Sequence, residues 1–511
     1  MQRIRPDQAH ALHSVASTRA LERRWLAALP PHTLMQRAGL AAARLAQAIA
    51  PHAAQIWVAC GAGNNGGDGL EAAAQLKGLG YPVSASWLGQ PKQASTDTLN
   101  SLHRALAAGV PLLAQPPTLQ AGDLAIDALL GIGLQPSPAR DPAHDSDPRL
   151  SAWIQHLNDS PATVLALDLP SGLSADQGVP VLASGQVRAQ HTLSLLSLKP
   201  GLFTAQGRDL CGQVWLDGLD LPAHEQPADA WLSSPPQAPR RTHSSHKGSF
   251  GDVLVLGGES LSRRGLGMTG AALLAARAAL HAGAGRVLVA LLDEADHALT
   301  LDPLQPELML RRPEAMTLTQ ATVVCGCGGG EAVRAWLPRV LSEAPQLVLD
   351  ADALNHIAAE ADLQAQLQAR ASRHLPTVLT PHPLEAARLL GQDTTTVQSD
   401  RQHAAQTLAQ RFGVVVVLKG SGTVVAAPGQ TPRINPTGNA RLASGGTGDV
   451  LAGLLGALWA AQPDAHTTLA GFLAACSAVY LHGQVADHWE GTHSLTASRL
   501  AAALRPINTG F

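Results

Sequence analysis

Aromatic side chains are scarce: Phe, Trp and Tyr make up 3% of the 511 residues. Platforms that stack nucleic-acid bases need more of them. Charge is also thin, at 15% of residues, and nearly balanced, with 36 Lys and Arg against 39 Asp and Glu. Residues 1–222 hold 15 basic and 16 acidic side chains, and the remainder 21 and 23. Neither part has the basic surplus of an electrostatic nucleic-acid binder, so no nucleic-acid partner is expected. Five cysteines cannot build a disulfide framework in a chain this long, which fits a reducing cytoplasm. The opening MQRIRPDQAHALHSVASTRALERR has no apolar stretch of signal-peptide type. The late segment LAGFLAACSAVYLHG (469–483) contains Ser and His and reads as too short to span a bilayer. It predicts a buried helix and no membrane partner. The 21 histidines include no HExxH and no zinc-type pair, and no Gly-rich stretch ends in G-K-[ST].

What the chain does have is 45% hydrophobic residues, 48 Gly and 35 Pro, the profile of an α/β enzyme with many tight turns. Short Val/Ile/Leu runs alternate with Ala/Leu-rich amphipathic stretches. The runs are QIWVAC (55–60), PVSASWL (82–88), LAIDALL (124–130), TVLALDL (163–169), DVLVLGG (252–258), RVLVALL (286–292), TVVCG (322–326), QLVLDAD (346–352), TVLTP (377–381) and VVVVLKG (414–420). Such alternation predicts βα units and parallel sheets. PAHEQPADAWLSSPPQAPR (222–240) shows no period of 2 or 3.6 and reads as a linker. The expected organisation is a domain over 1–222, a linker over 223–240 and a domain over 241–511. A second Pro-rich stretch, QPSPARDPAHDSDPR (135–149), reads as a surface loop.

In the first domain QIWVAC runs into GAGNNGGDG (61–69) and then a helical pattern. Gly61, Gly63 and Gly66 satisfy G-x-G-x-x-G, but the next strand offers no acid to hold a ribose, so the dinucleotide fingerprint is incomplete. Glycines at a helix start let backbone amides approach an anion. A tight turn with Asx caps explains the motif equally well. IDALLGIGL (126–134) and LALDLPSGL (165–173) place Asp127 and Asp168 at two further strand ends. A single such Asp is commonly a helix cap. Three oxygen-rich loops at carboxyl strand ends form a binding crevice that suits a ligand and a hard monovalent cation.

LMQRAG (34–39), GAGNNGGDG, DALLGIGL and DLPSGL, in that order, resemble the NAD(P)H-hydrate epimerase domain. The resemblance implies potassium held by Asn65, Asp127 and Ser171. It implies that hydrated nicotinamide cofactor is bound by Asn64, Asn65, Gly66, Gly67 and Asp68, by Gly131, Ile132, Gly133, Leu134, Gln135, Pro136 and Ser137, and by Asp168 as acid/base group. Gln36 departs from the Glu common in that family.

In the second domain, GNARLASGGTGDVLAGLLGAL (438–458) sets Gly445, Gly446 and Gly448 at the start of a long apolar helix, with Asp449 just inside it. Free N–H groups and the positive dipole end suit a phosphate. A carboxylate there can accept the proton of an attacking hydroxyl, or simply complement the dipole. HKGSFGDVLVLGG (246–258), GMTGAALLAARAALHAGAGRV (267–287), LDADALN (349–355), LTPHPLEAARLL (379–390) and VVVVLKGSGT (414–423) complete the set. Small residues in 267–287 are explained by packing alone. His382 reads as a turn residue or a substrate contact. Cys325 and Cys327 form an isolated C-x-C with no partner at metal spacing.

This ordered set resembles the ADP-dependent NAD(P)H-hydrate dehydratase domain and, more distantly, hydroxyethylthiazole kinase and ribokinase. The resemblance implies hydrate contacts at Ala271, Gly328, His382 and Asp449, and nucleotide contacts at Lys419, Gly420, Ser421, Gly422, Thr423 and Gly448. Magnesium would accompany ADP, and Asp449 would be the catalytic base. The family's GPGLG falls at GCGGG (326–330), where Cys327 and Gly329 suggest a looser loop. Together the resemblances imply an N-terminal Rossmann-like three-layer domain, a C-terminal ribokinase-like α/β domain, and a bifunctional repair enzyme acting on NAD(P)HX with ADP. A homo-oligomer is expected. The alternative is a small-molecule kinase fused to a non-catalytic Rossmann-like binding domain.

Overall fold

The computed structural model describes residues 1–134, 147–222, 226–237, 243–292 and 299–507. They fall into two compact units: Met1–Arg5 with His10–Trp231, and Pro6–Ala9 with Leu232 onward. The first contains β1 (Gln2–Arg3), β2 (His10–Leu12), β3 (Ile56–Cys60), β4 (Val83–Trp87), β5 (Leu124–Ala128), β6 (Thr163–Leu167), β7 (His191–Leu195) and β8 (Gln213–Asp217). A seven-stranded sheet runs β1-β8-β7-β6-β5-β3-β4, parallel except for β1 on β8. Successive side chains of a strand face opposite ways. Ile56, Val58 and Cys60 therefore pack with helices Thr33–Ile49 and Asn64–Gly78. Trp57 and Ala59 pack on the other face with Trp153, Ile154 and Leu157 of helix Pro148–Asp159. Helices on both faces make the three layers.

The expected linker contains a further strand, β9 (Ala230–Leu232), with Ala230, Leu232 and Ser233 buried. Asp229 N–H donates to Leu12 O at 3.0 Å, and Ser14 N–H to the Asp229 carboxylate at 2.7 Å. Three apolar residues between prolines were enough to form structure where periodicity was silent.

The second unit holds β10 (Asp252–Glu259), β11 (Arg286–Leu292), β12 (Met309–Arg311), β13 (Thr322–Cys325), β14 (Gln346–Leu349), β15 (Thr377–Leu379), β16 (Val415–Leu418), β17 (Val424–Ala426) and β18 (Arg433–Ile434). Their order is β12-β11-β10-β13-β14-β15-β16-β17-β18, parallel as far as β16 and antiparallel beyond. Val253 and Val255 pack with helices Thr269–His281, Thr447–Ala460 and Thr468–Asp487. Leu254 and Leu256 pack on the opposite face with helices such as Asp352–Ala359 and Arg401–Phe412. The small residues of 267–287 serve a helix crossing: a Cβ on Gly453 would lie 1.9 Å from Ala275 O.

Helix Thr468–Asp487 has 20 residues, so the late apolar segment belongs to an element long and apolar enough to cross a membrane, not too short as expected. Its Phe472, Ala474, Ala475 and Ala478 are core residues of the second unit.

Candidate active sites

In the first unit the loops after β3, β5 and β6 close on a cleft of about 470 Å³. Its Gly-rich turn is set by backbone crowding. A Cβ on Gly61 would sit 1.7 Å from Leu129 O, and one on Gly66 1.9 Å from Gly61 O. Neither glycine needs a positive φ. These glycines let the loop after β5 press against the start of helix Asn64–Gly78, whose N-cap is Gly63. Asn64 accepts from Ser95 Oγ at 2.9 Å. Asn65 is buried, and neither its amide oxygen nor its nitrogen has a partner among the described residues.

Asp127, near the end of β5, is fully buried. It accepts from Ser171 Oγ at 2.6 Å, Ser171 N–H at 2.8 Å and Leu129 N–H at 3.2 Å. Burial pushes its carboxyl up to about 6, opposed by those bonds. Ser171 Oγ also accepts from Leu130 N–H at 2.9 Å. Gly131 packs on Asn65, since a Cβ there would meet Asn65 Cβ at 3.2 Å. The three residues expected to hold a cation thus share one corner, linked by the loop after β5.

Asp168 follows β6 directly and has φ +67, a left-handed conformation that Asp tolerates better than most residues. Its N–H donates to Leu193 O at 2.7 Å, and its Oδ1 accepts from Leu195 N–H at 3.2 Å and from Lys199 Nζ. Lys199 is wholly buried and also donates to Leu195 O at 2.8 Å and Ser194 Oγ at 3.3 Å. Asp168, Lys199, Asn64, Asn65, Asp68 and the stretch 131–134 all line the cleft. Gln135, Pro136 and Ser137 lie outside the described residues. Glu22 of helix Val15–Ala28 also lines it, its carboxyl raised by burial and then by Asp168. Sequence reasoning missed Lys199 and Glu22. The signal for the first was a lysine inside the otherwise apolar LLSLKPG.

In the second unit Asp350 follows β14 and is buried. Its Oδ1 accepts from Thr380 Oγ1 at 2.7 Å and Lys419 Nζ at 2.8 Å. Glu385 Oε2 stands 4.0 Å from the same ammonium, and burial pushes Glu385 up to about 7. Asp449 lies in the first turn of helix Thr447–Ala460, capped by Gly446 at φ +88. Burial, then the charge of Asp350, pushes Asp449 up to about 6. A Cβ on Gly448 would stand 3.3 Å from Lys419 Nζ, which brings the nucleotide candidates together. Arg401, also unforeseen, braces Lys419–Thr423: its guanidinium donates to Leu418 O at 3.2 Å and to Ser421 O.

The GCGGG loop is tight, not loose. Cys327 is fully buried, and Gly326, Gly328 and Gly330 all have positive φ. A Cβ on Gly328 would meet Met268 O at 2.6 Å and Ala271 Cβ at 2.8 Å, so two of the hydrate candidates adjoin. Cys325 packs on one face of the sheet and Cys327 on the other, which dissolves C-x-C as a ligand pair. Cys327 instead gathers with Asp350 and Asp449, their ligand atoms within 4.8 Å. His382 is half-exposed and caps helix Pro383–Leu390. Its ring Nδ1 accepts from Glu385 N–H at 3.2 Å, while its backbone N–H donates to Glu385 Oε2 at 2.8 Å.

Two family models match the chain. One is described as NAD(P)H-hydrate dehydratase and covers residues 253–506, and the other as YjeF-related protein N-terminus, covering 31–201. The chain is 36% identical over 503 residues to the bifunctional NAD(P)H-hydrate repair enzyme Nnr of Escherichia coli, spanning 93% of this chain and 89% of that protein. It is 39% identical over 272 residues to the ADP-dependent (S)-NAD(P)H-hydrate dehydratase of Neisseria meningitidis, spanning 52% of this chain and 86% of that protein. Among solved structures, an ADP/ATP-dependent NAD(P)H-hydrate dehydratase of Bacillus subtilis co-crystallised with ATP and magnesium is 32% identical. It covers 52% of this chain and 92% of that one, with a TM-score of 0.42.

Proposed function

The chain belongs to the bifunctional NAD(P)H-hydrate repair enzymes, and from that membership we propose that it restores nicotinamide cofactors hydrated at carbon 6 of the ring. The first unit interconverts the R and S epimers. The second dehydrates the S epimer to NAD(P)H with ADP, releasing AMP and phosphate. The observation that carries this reading is a pair of unlike carboxylate centres in one chain: Asp168 beside Lys199 in a cleft, and Asp449 beside a glycine-rich helix start.

In the epimerase, Asp168 moves the proton, and Asn64–Asp68 and 131–137 hold the substrate. Asn65, Asp127 and Ser171 suit potassium. Their donors are oxygens, they bring one carboxylate, and the unpartnered Asn65 amide is what an ion would satisfy. When bound, such an ion offsets the buried charge of Asp127.

In the dehydratase, Asp449 accepts the proton of the ring hydroxyl as that oxygen attacks the β-phosphorus of ADP and AMP departs. Amides of 445–448 stabilise the transferring phosphoryl group electrostatically. Phosphate then leaves carbon 6, a proton leaves carbon 5, and the dihydronicotinamide double bond reforms. Ala271, Gly328 and His382 flank the hydrate, and Lys419–Thr423 with Gly448 hold the nucleotide. Magnesium, when bound, neutralises phosphate charge. The Cys327–Asp350–Asp449 group is no cage for it, because a thiol is a poor ligand for a hard cation and Asp350 is occupied by Lys419, so it would be held chiefly through the phosphates. The test is to incubate mixed R and S hydrate with ADP and magnesium while following NADH absorbance. Complete recovery with equimolar AMP and phosphate is expected. A stable phosphate ester would indicate a kinase instead.

A further inference from the structure

The epimerase cleft holds two carboxyls in opposite surroundings. Asp168 has a cation: Lys199 pairs with it and is fixed in place by two further acceptors. Asp68, in the first turn of helix Asn64–Gly78, lines the same cleft, yet no hydrogen bond or ion pair reaches its carboxyl among the described residues. The charged groups acting on it, Asp168, Glu22, Asp97 and Glu71, are all acidic. Three of these have partners of their own: Asp168 has Lys199, Glu71 accepts from Arg104 Nε at 2.9 Å, and Asp97 pairs with His32. Glu22 differs, because Arg19, Lys199 and Arg23 offset its burial. Burial and four like charges hold the Asp68 carboxyl well above the usual range. A neutral carboxyl is a donor and an ionised one only an acceptor. Paired carboxyls with divergent environments are the pattern of an acid working with a base.

We propose that Asp68 is the proton donor of the epimerase, acting with Asp168 as acceptor to open and reclose the hydrated ring. This rests on the epimerase reading above. Carbon 6 of the hydrate bears a hydroxyl and the ring nitrogen, so it is a hemiaminal. Asp168 takes the hydroxyl proton, the C–O bond becomes a carbonyl, and the bond from carbon 6 to the ring nitrogen breaks. Its electron pair stays on nitrogen, where Asp68 delivers its proton. Rotation about the bond between carbons 5 and 6 presents the other face of the aldehyde. On closure the nitrogen attacks that face and returns its proton to Asp68, while the oxygen recovers a proton from Asp168. Both carboxyls end as they began, and no external reactant is consumed.

The test uses the full chain. Asp68→Asn, Asp68→Glu, Asp168→Asn and Glu22→Gln are compared for conversion of R hydrate, S-hydrate dehydration and thermal melting. Asp68→Asn is expected to lower the epimerase kcat about 10²–10⁴-fold, beyond any rise in KM from its place among the substrate contacts, with melting little changed and dehydration intact. Asp68→Glu restores part of the rate. In the wild type, epimerisation falls as rising pH removes the donor's proton, and Asp68→Asn lacks that alkaline limb. The limb is read against Glu22, Asp97, Glu71, Asp168, Lys199 and Arg19, the charged groups around the cleft. A raised KM at wild-type kcat would reduce Asp68 to a binding residue and overturn the proposal. Loss of the limb in Glu22→Gln rather than Asp68→Asn would overturn it in favour of Glu22. Near-normal kcat in Asp68→Asn alongside a dead Asp168→Asn would sink the donor role while leaving the epimerase standing. No epimerisation by the wild type would sink the epimerase reading itself.

Discussion

Both centres pair a lysine with an aspartate at a strand end, but the two lysines do different work. In the first unit Lys199 binds Asp168, the group proposed to handle the substrate proton. In the second, Lys419 binds Asp350, and Asp449 is left to the combined effect of burial and a neighbouring carboxylate. The lysine's position decides which carboxylate is pinned by an ammonium. The epimerase carries a fixed base. The dehydratase carries a base pushed up to about 6, ionised in full only above neutral pH.

The sharpest way to break this comparison is to remove each base alone. Asp449→Asn is expected to keep its fold and lose about 10²–10⁴-fold in dehydration, with epimerisation unchanged. Parallel assays of both activities check it, and equal loss of both would mean a shared structural defect. Lys199→Met should follow in size. Removing one partner of a buried ion pair costs about 3–5 kcal/mol, read as a lowered denaturation midpoint for the first unit, together with lost epimerisation. A variant of wild-type stability would mean that the Lys199–Asp168 pair does not brace the first unit.

The pH dependence sharpens the contrast. Dehydratase kcat should fall as pH drops through about 6 and Asp449 takes up a proton, a limb that Asp449→Asn lacks. Stability runs the other way. Asp127 and Asp449 at about 6 and Glu385 at about 7 are raised above their ordinary values of 3.8, 3.8 and 4.5. The folded chain therefore binds more protons than the unfolded one, and these groups contribute stability below about pH 4 that is lost as pH rises through 6 to 7. The smallest expected effect concerns potassium. Its stabilisation of the first unit should be greater at pH 8 than at pH 5, since Asp127 is an anion only at the higher pH. Melting in potassium against a bulky organic cation measures it, and equal shifts at both pH values would remove Asp127 from the cation site.

How much was readable in the sequence followed chemical type. Strands built from Val, Ile and Leu, such as β3, β10 and β16, stood out. β7 (HTLSL) did not, although it lies inside the sheet. Its polar side chains are satisfied within the fold, Thr192 donating to Cys211 O and Ser194 to Ser197 O, each at 2.7 Å. β17 and β18 are too short to show a period. Among the candidate site residues, Asp127, Asp168 and Asp449 stood out because each sits where a strand ends or a helix starts, and Ser171 because it lies in the turn just beyond Asp168. Lys199 follows the unread strand, and Asp350 and Glu385 gain meaning only from the lysine that folding brings to them. Distance in the chain, 69 residues for Asp350 and Lys419, hides such pairs.

The left-handed backbone at Asp168 also bears on how such a domain can change its trade. Asn and Gly accept that conformation as readily as Asp, and each is a single base change from an Asp codon. Replacement by either leaves the turn's backbone unstrained while deleting the carboxylate proposed to move the proton, but it strands the buried Lys199 ammonium, at about 3–5 kcal/mol unless the lysine changes with it. Most catalytic positions, when lost, take some architecture with them. A lineage that abandons the reaction and keeps a well-formed pocket therefore has two positions to change, Asp168 and Lys199, and not one.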